Sequence, residues 1–140
     1  MVDQSMIAAI FNDFMSLYLG REQMGIEELC KRYDYHRMLM GLLSNMDEAA
    51  KIPIPVVMKE CYEVYKKYRN REMVERDYED LMEETRKLSD KWKSNKWCNR
   101  ILVELVGLLE EDDKERRRIA EEVEREMEEF HNKALHLRNS

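Results

Sequence analysis

Carboxylate and histidine residues at helical spacing are the side chains of this chain that could do chemistry. Glu128 and His131 form an ExxH unit, which in di-iron helical bundles supplies two metal ligands from one helix face. Such a site needs a second unit, and the other histidines, His36 and His136, have no glutamate three residues before them. The sequence contains no HExxH, GxSxG, phosphate-binding loop or GxGxxG motif. It therefore predicts no catalytic residues, no metal and no cofactor.

A pair of glutamates suggests a second chemistry, the binding of magnesium. Glu72 and Glu75 form an ExxE pair. This pair resembles those of the all-α nucleotide pyrophosphohydrolases of the MazG type, which hold magnesium with ExxE and ExxD pairs on adjacent helices. Tyr78 stands where a further carboxylate would extend the pair. Because a glutamate-rich chain forms such pairs by chance, this enzyme class is an alternative to a non-enzymatic function.

The composition indicates which elements would have to position these side chains. The chain has 140 residues, which fits one domain, and 39% of them are charged and 44% apolar. Only four glycines and two prolines occur, whereas strong helix formers dominate. The sequence therefore predicts an all-α fold, a helical bundle of about five to six helices.

The cysteines and the apolar segments indicate a cytoplasmic location. Cys30, Cys61 and Cys98 are widely spaced and lack a CxxC motif, so neither a disulfide framework nor a zinc site is expected. No apolar run reaches the roughly 20 residues that cross a bilayer. The first apolar segment also lacks a basic leader. We expect a reducing compartment and no contact with a membrane.

Three compact helices are predicted in the N-terminal part, residues 1–52. Apolar residues recur at helical spacing over about 3–20, 22–33 and 36–50. Gly20 is expected to end the first helix. Ile52-Pro53-Ile54-Pro55 marks the main boundary, because proline disfavours helix at the preceding residue and is tolerated in a first turn.

Longer helices are predicted in the C-terminal part, residues 53–140. A new helix is expected to start near Pro55. The heptad spacing of the apolar residues shifts by one position near Asn70, which indicates a break, a kink or a stutter there. Ser94-Asn95 is the next expected break. We expect these longer helices to pack antiparallel, in the manner of a coiled coil.

Two interpretations of residues 97–138 are open. Asp112 followed by Glu115 fits a capping box and the start of a new helix, whereas the alternative is one continuous helix.

The last apolar stripe forms a narrow seam. It advances by alternating steps of three and four and consists of Ala120, Val123, Met127, Phe130, Ala134 and Leu137. A seam this short is marginal alone in water, so if it is exposed we expect a homodimer.

Residues 26–43 resemble the helix-turn-helix pattern in their spacing. Asp34 stands where the turn needs a residue that tolerates left-handed geometry. The resemblance implies a DNA-binding regulator whose second helix, residues 38–46, enters the major groove. Of the outward positions only His36 and Arg37 suit DNA contacts. The alternative is a pair of short helices packed in a core.

A basic window with two tryptophans follows the heptads. Six lysines and arginines oppose one aspartate over positions 86–100, and Trp92 and Trp97 lie among them. Basic groups interleaved with aromatic rings can bind nucleic acid, and tryptophan is enriched at protein hot spots. Trp92 continues the heptad and is expected in the core. The candidates for partner binding are therefore Lys93, Lys96 and Trp97, and the alternative for Trp97 is a place in the core.

An acidic run follows the basic window. It consists of Glu110, Glu111, Asp112 and Asp113, and six further glutamates occur between positions 121 and 129. A dense carboxylate surface on a rigid helix can imitate a phosphate backbone and occupy a basic groove. Some small inhibitors encoded by phages and mobile elements, including anti-CRISPR proteins, use this device, and the analogy is one of class only. The alternative is a solvated face with i,i+4 ion pairs.

These features favour a non-enzymatic interaction protein, a regulator or inhibitor that binds a protein partner. An inhibitor of a nucleic-acid-handling enzyme, such as a CRISPR effector, would use the acidic run. The net charge of −6 disfavours non-specific nucleic-acid binding by the whole surface, though not by a local basic patch. The DNA-binding regulator is the main alternative.

Overall fold

The computed structural model describes residues 3–21 and 25–139. All regular structure in these residues is helical, so the predicted all-α bundle is confirmed. The helices are α1 (Gln4–Tyr18), α2 (Ile26–Arg32), α3 (Arg37–Leu43), α4 (Met46–Ala49), α5 (Ile54–Tyr68), α6 (Glu75–Lys91) and α7 (Lys96–Asn139).

Residues with left-handed backbone geometry lie at the predicted breaks. Gly20 follows α1 with a φ of 69°. Asn70 follows α5 with a φ of 65°, at the point where the heptad phase shifts. Ser94 lies between α6 and α7 with a φ of 55°. Asp34 has a φ of 52° in the turn between α2 and α3, as the helix-turn-helix spacing predicts.

One predicted boundary is wrong, and of the two interpretations of residues 97–138 the continuous helix is the one observed. The helix expected over 36–50 is interrupted at Asn45, which has a φ of 51° and starts α4. Conversely, α7 runs without a break past Asp112 and Glu115. Both carboxylates pair with arginines one turn further along the same helix, so they do not cap a new one. The start predicted at residue 22 lies outside the described residues.

The helices α5 and α6 form an antiparallel hairpin. Near its closed end, Lys67 Nζ lies 2.6 Å from a carboxylate oxygen of Glu84. Near its open end, Lys91 Nζ lies 2.5 Å from a carboxylate oxygen of Glu60. The two ion pairs join α5 and α6 in one antiparallel register. Antiparallel packing of these helices was expected from the heptads.

Helix α7 begins at a capped turn and returns along α6. The Asn95 side-chain oxygen accepts a hydrogen bond from the Cys98 N–H at 3.0 Å, which satisfies a donor in the first turn. The Asn95 amide donates to the Glu48 carbonyl at 2.9 Å and so ties the turn to α4. Next to it, the Ser89 hydroxyl lies 2.7 Å from the Asn99 side-chain oxygen.

The N-terminal helices pack on the long helices and share their core. The ring of Phe11 lies 5.2 Å from that of Tyr62 on α5. The ring of Phe14 lies 6.3 Å from that of Trp97 on α7. Buried residues from both predicted parts of the chain belong to one cluster. The proline-marked boundary therefore separates two stretches of sequence that are stabilised by the same core.

Two glycines allow α3 to cross close to α7. A Cβ atom built on Gly41 would lie 3.1 Å from Cγ of Glu104. A Cβ atom built on Gly107 would collide with the guanidinium of Arg37. The small residue on each helix therefore makes room for a long charged side chain of the other.

The helix α7 continues well beyond the bundle. Its 44 residues correspond to about 66 Å at 1.5 Å per residue. Every described side chain after Arg116 is exposed. We call residues 119–138 the arm. It is about 30 Å long, and none of its residues belongs to the core.

Candidate functional site

Trp97 lies in the core, and its assignment to a partner-binding surface is wrong. The side chain is fully buried, and its indole N–H donates to the Leu42 carbonyl at 2.8 Å. This bond satisfies the one polar group of the ring, so the indole sits in an apolar environment at little cost. Trp92, which was expected in the core, is half-buried and packs against the core cluster.

The basic window has largely paired side chains. Arg86 pairs with Glu83 and Asp90 of its own helix, and Arg100 pairs with Glu104. Lys93 and Lys96 are exposed and remain candidates for partner contacts. Because Trp97 points into the core, these lysines have no ring from that residue on which a base could stack.

The residues predicted to contact DNA hold α3 in place instead. The His36 imidazole Nδ1 accepts a hydrogen bond from the Met38 N–H at 3.0 Å and caps α3. Arg37 Nε lies 2.6 Å from a carboxylate oxygen of Glu104, and Nη1 of the same guanidinium pairs with Glu111. The hydrogen bond to Glu104 raises the pKa of Arg37. Burial, together with Arg37, lowers the pKa of His36 below its ordinary value.

The burial of α3 contradicts the prediction that this helix enters a DNA groove. Four positions expected to face outward are buried: Met38, Leu39, Gly41 and Leu42. The three apolar side chains among them belong to the core that α3 shares with α7. Residues 26–43 therefore share the turn geometry of the helix-turn-helix pattern, but their second helix presents no reading face.

Asp112 and Asp113 also hold the bundle together, so their assignment to a partner-binding surface is wrong. Both are buried. Asp113 accepts hydrogen bonds from the Met73 N–H at 3.2 Å and from the Tyr78 hydroxyl at 2.7 Å. Burial, and then this bond to Asp113, raises the pKa of Tyr78 to about 12. Asp112 pairs with Arg116 at 2.6 Å.

Two arginines complete a clasp around the loop between α5 and α6. Arg116 donates to the Arg71 carbonyl at 2.6 Å, and Arg117 donates to the Met73 carbonyl at 2.7 Å. Together with Asp113 they satisfy backbone groups of the loop that have no partner in a helix, and Asp112 pairs with the guanidinium of Arg116. An alternation of acids and arginines at i,i+4 spacing is the sequence signal of this clasp.

The remaining two residues of the acidic run lie on the surface. Glu110 is exposed. Glu111 is also exposed but pairs with Arg37. The four residues of the run over 110–113 therefore have different roles. Asp112, Asp113 and Glu111 pair with arginines of the bundle, and only Glu110 is exposed without an ion pair to another described side chain.

The apolar seam predicted over 120–137 lies on the surface of the arm. The exposed fractions are 47% for Val123, 68% for Met127, 75% for Phe130 and 75% for Leu137. Exposed apolar side chains grouped in this way on a helix that leaves its bundle make the seam a candidate interaction surface.

The acidic residues of the arm are more accessible than the run over 110–113. Six glutamates and one arginine occupy positions 121–129, a stretch that we call the acidic band, and all of them are exposed. Among the described contacts, the one ion pair of the band joins Glu122 to Arg118 at 3.2 Å. The band therefore carries an excess of negative charge that the bundle does not neutralise.

The other candidates from the sequence stand apart from the arm. Glu72 lies in the loop before α6 and Glu75 at its start, and both are exposed. Within residues 3–21 and 25–139, no group of three or more histidine, cysteine or acidic side chains is placed to hold a metal ion. No described helix has both the length and the apolar character needed to span a membrane. All three cysteines are buried and unbridged.

Comparison of the chain with protein-family models, with curated proteins and with solved structures found no match. The arm is the strongest candidate site, because it combines an apolar seam, a charged band and complete exposure.

Proposed function

We propose that this protein is a non-enzymatic interaction protein in which the bundle supports the arm and the acidic band binds a positively charged groove of a partner protein. The supporting observation is that all described side chains over 119–138 are exposed while six glutamates lie within 121–129. A charged surface that the fold does not use is available for a partner.

The geometry of the band suits a groove that ordinarily holds nucleic acid. Four of its glutamates project from the side of the helix opposite the seam: Glu121, Glu122, Glu128 and Glu129. A groove for a phosphate backbone is lined with lysine and arginine, and arginine pairs with carboxylates as readily as with phosphates. Occupying such a groove would make the protein a regulator or inhibitor of a nucleic-acid-handling protein.

The exposed lysines of the bundle form a separate surface. Lys96 starts α7, and the band starts 25 residues further along it at Glu121, which corresponds to roughly 38 Å. Lys93 lies in the preceding turn. One compact groove cannot contact both ends, so the lysines are expected to contribute little to binding through the band.

The test is affinity capture from a lysate of the native host with the full chain as bait. One variant replaces the outward glutamates of the band: Glu121→Gln, Glu122→Gln, Glu128→Gln and Glu129→Gln. A matched control removes the same charge from exposed glutamates of the bundle: Glu28→Gln, Glu63→Gln, Glu72→Gln and Glu79→Gln. We expect the unaltered chain and the control to capture the same protein, and the band variant to lose it.

The identity of the captured protein completes the test. A partner held through a nucleic-acid groove should be released by added duplex DNA or RNA, since both ligands need the same basic side chains. Equal capture by the band variant and the control, or capture that nucleic acid does not compete, would contradict the proposal.

A further inference from the structure

We propose that the seam of the arm pairs with the seam of a second copy of this chain, in antiparallel orientation. The proposal stands apart from the acidic band's partner, because it rests on the opposite side of the helix. Three features of the arm support it: the exposure of the seam, the sizes of its side chains and the distribution of charge along it.

The exposed seam has the spacing of a coiled coil. In a heptad labelled a to g, Ala120, Met127 and Ala134 take the a positions, and Val123, Phe130 and Leu137 take the d positions. The phase is kept from the first of these residues to the last. Met127 and Phe130, at the centre, are also among the most exposed large apolar side chains of the described chain.

The sizes of the side chains favour antiparallel pairing. In that orientation each a position faces a d position of the second copy, which places Ala120 opposite Leu137, Val123 opposite Ala134, and Met127 opposite Phe130. The layers then differ less in volume than in a parallel pair, because no layer pairs alanine with alanine or phenylalanine with phenylalanine, and the central thioether meets an aromatic ring. A parallel pair would stack alanine on alanine and phenylalanine on phenylalanine, which leaves some layers underfilled and another overfilled.

The charges favour the same orientation. The first half of the seam carries the acidic band, with six glutamates and one arginine over 121–129. The second half has Lys133 and Arg138 together with two histidines, and no acid over 131–138. Antiparallel pairing places each acidic half beside a basic half. Parallel pairing would instead place the two acidic bands side by side, where like charges repel.

Dimerisation through the seam leaves the proposed partner surface accessible. The four outward glutamates, Glu121, Glu122, Glu128 and Glu129, occupy b and c positions, which face away from the second helix. In an antiparallel pair the two bands extend from the centre of the joined arms toward opposite ends. The dimer would therefore display one acidic band on each copy.

The first test is analytical ultracentrifugation of the full chain over a range of concentrations. We expect a reversible dimer that the double variant Met127→Gln, Phe130→Gln weakens by at least about 100-fold, since each copy loses two large apolar side chains from the interface. The control, Met82→Gln and Val103→Gln, changes two exposed apolar residues of the bundle and should leave the dissociation constant unchanged.

The outcomes separate the seam from other surfaces. A chain that is monomeric at every concentration would overturn the proposal. So would a dimer that the control variant disrupts and the seam variant does not, because the interface would then lie on the bundle. Circular dichroism of each variant shows whether the helices are retained.

The second test fixes the orientation. Two variants that each add one exposed thiol, Ala120→Cys and Leu137→Cys, are mixed in equal amounts and oxidised, and the cross-linked peptides are identified by mass spectrometry. Antiparallel pairing predicts that every disulfide joins one chain of each variant, because like positions of the two copies lie about 25 Å apart. Disulfides between two copies of the same variant would show parallel pairing and contradict the proposal. The native cysteines are buried and should not take part.

Discussion

Replacing Asp113 by alanine should destabilise the fold, because this carboxylate holds the loop between α5 and α6. The side chain is buried and accepts bonds from the Met73 N–H at 3.2 Å and the Tyr78 hydroxyl at 2.7 Å. A buried donor left without an acceptor costs about 1–3 kcal/mol. The ion pair with Arg117 at 3.2 Å adds little, since the arginine is 54% exposed.

The two lost bonds give an expected loss of about 3 kcal/mol in the free energy of unfolding. For a chain of this size such a loss lowers Tm by about 6–12 °C. The assay is urea unfolding followed by circular dichroism, with a thermal melt beside it. Asp113→Asn should lose about half as much, because its amide oxygen still accepts one of the two bonds.

Glu110→Ala is the matched control, since Glu110 belongs to the same acidic run but is exposed. Its free energy of unfolding should stay within about 0.5 kcal/mol of the original chain. An Asp113→Ala variant as stable as this control would show that the Asp113 carboxylate does not hold the loop. Asp113 would then be free for a partner, as the sequence alone suggested.

Three further perturbations test other parts of the fold. Trp97→Phe should cost about 2 kcal/mol in urea unfolding, because it leaves a cavity and removes the bond to the Leu42 carbonyl, whereas a cost below about 0.5 kcal/mol would place the indole outside the core. Replacing glycine by alanine within a helix normally raises the free energy of unfolding by roughly 1 kcal/mol. Gly107→Ala should not show this gain, because the added Cβ would displace the guanidinium of Arg37. The gain should appear in the double variant Gly107→Ala, Arg37→Ala. The pKa of His36 is lowered in the folded state, so the unfolded state binds this proton more readily, and the stabilisation present above about pH 6.5 is lost as the pH falls below that value. His36→Asn keeps a side-chain oxygen that can cap α3 but does not titrate in this pH range. Thermal melts at about pH 7.5 and about pH 5 should therefore show a smaller fall in Tm for this variant than for the original chain. An equal fall in Tm would contradict the role given to His36.

The sequence predicted the fold class and most helix boundaries, because these depend on local preferences. The shift of the heptad phase located the break at Asn70, and the proline pair located the start of α5. The turn at Asn45 was missed because the apolar spacing of α3 continues into α4. A single residue in left-handed geometry is enough to divide them.

The candidate site was predicted less well, because charge and aromatic patterns do not show which side chains pair with distant residues. Asp113 and Glu110 look alike in the sequence, yet Asp113 contacts Met73 and Tyr78, which lie 40 and 35 residues away. The same holds for Trp97, whose bond to Leu42 spans 55 residues. The spacing of the seam residues was visible in the sequence. Their exposure was not, because it depends on the other helices burying a core to which the seam does not belong.

If the arm binds the partner and the bundle only supports the arm, removing the arm should abolish binding and leave the bundle folded. The most direct measurement compares the full chain with residues 1–118 alone in affinity capture from the host lysate, with a thermal melt to show that the shortened chain folds. We expect the shortened chain to unfold cooperatively, since the last described hydrogen bonds from α7 to the bundle are made by Arg116 and Arg117, and to capture no partner. A folded 1–118 chain that captures the same partner as the full chain would instead place the binding surface on the bundle.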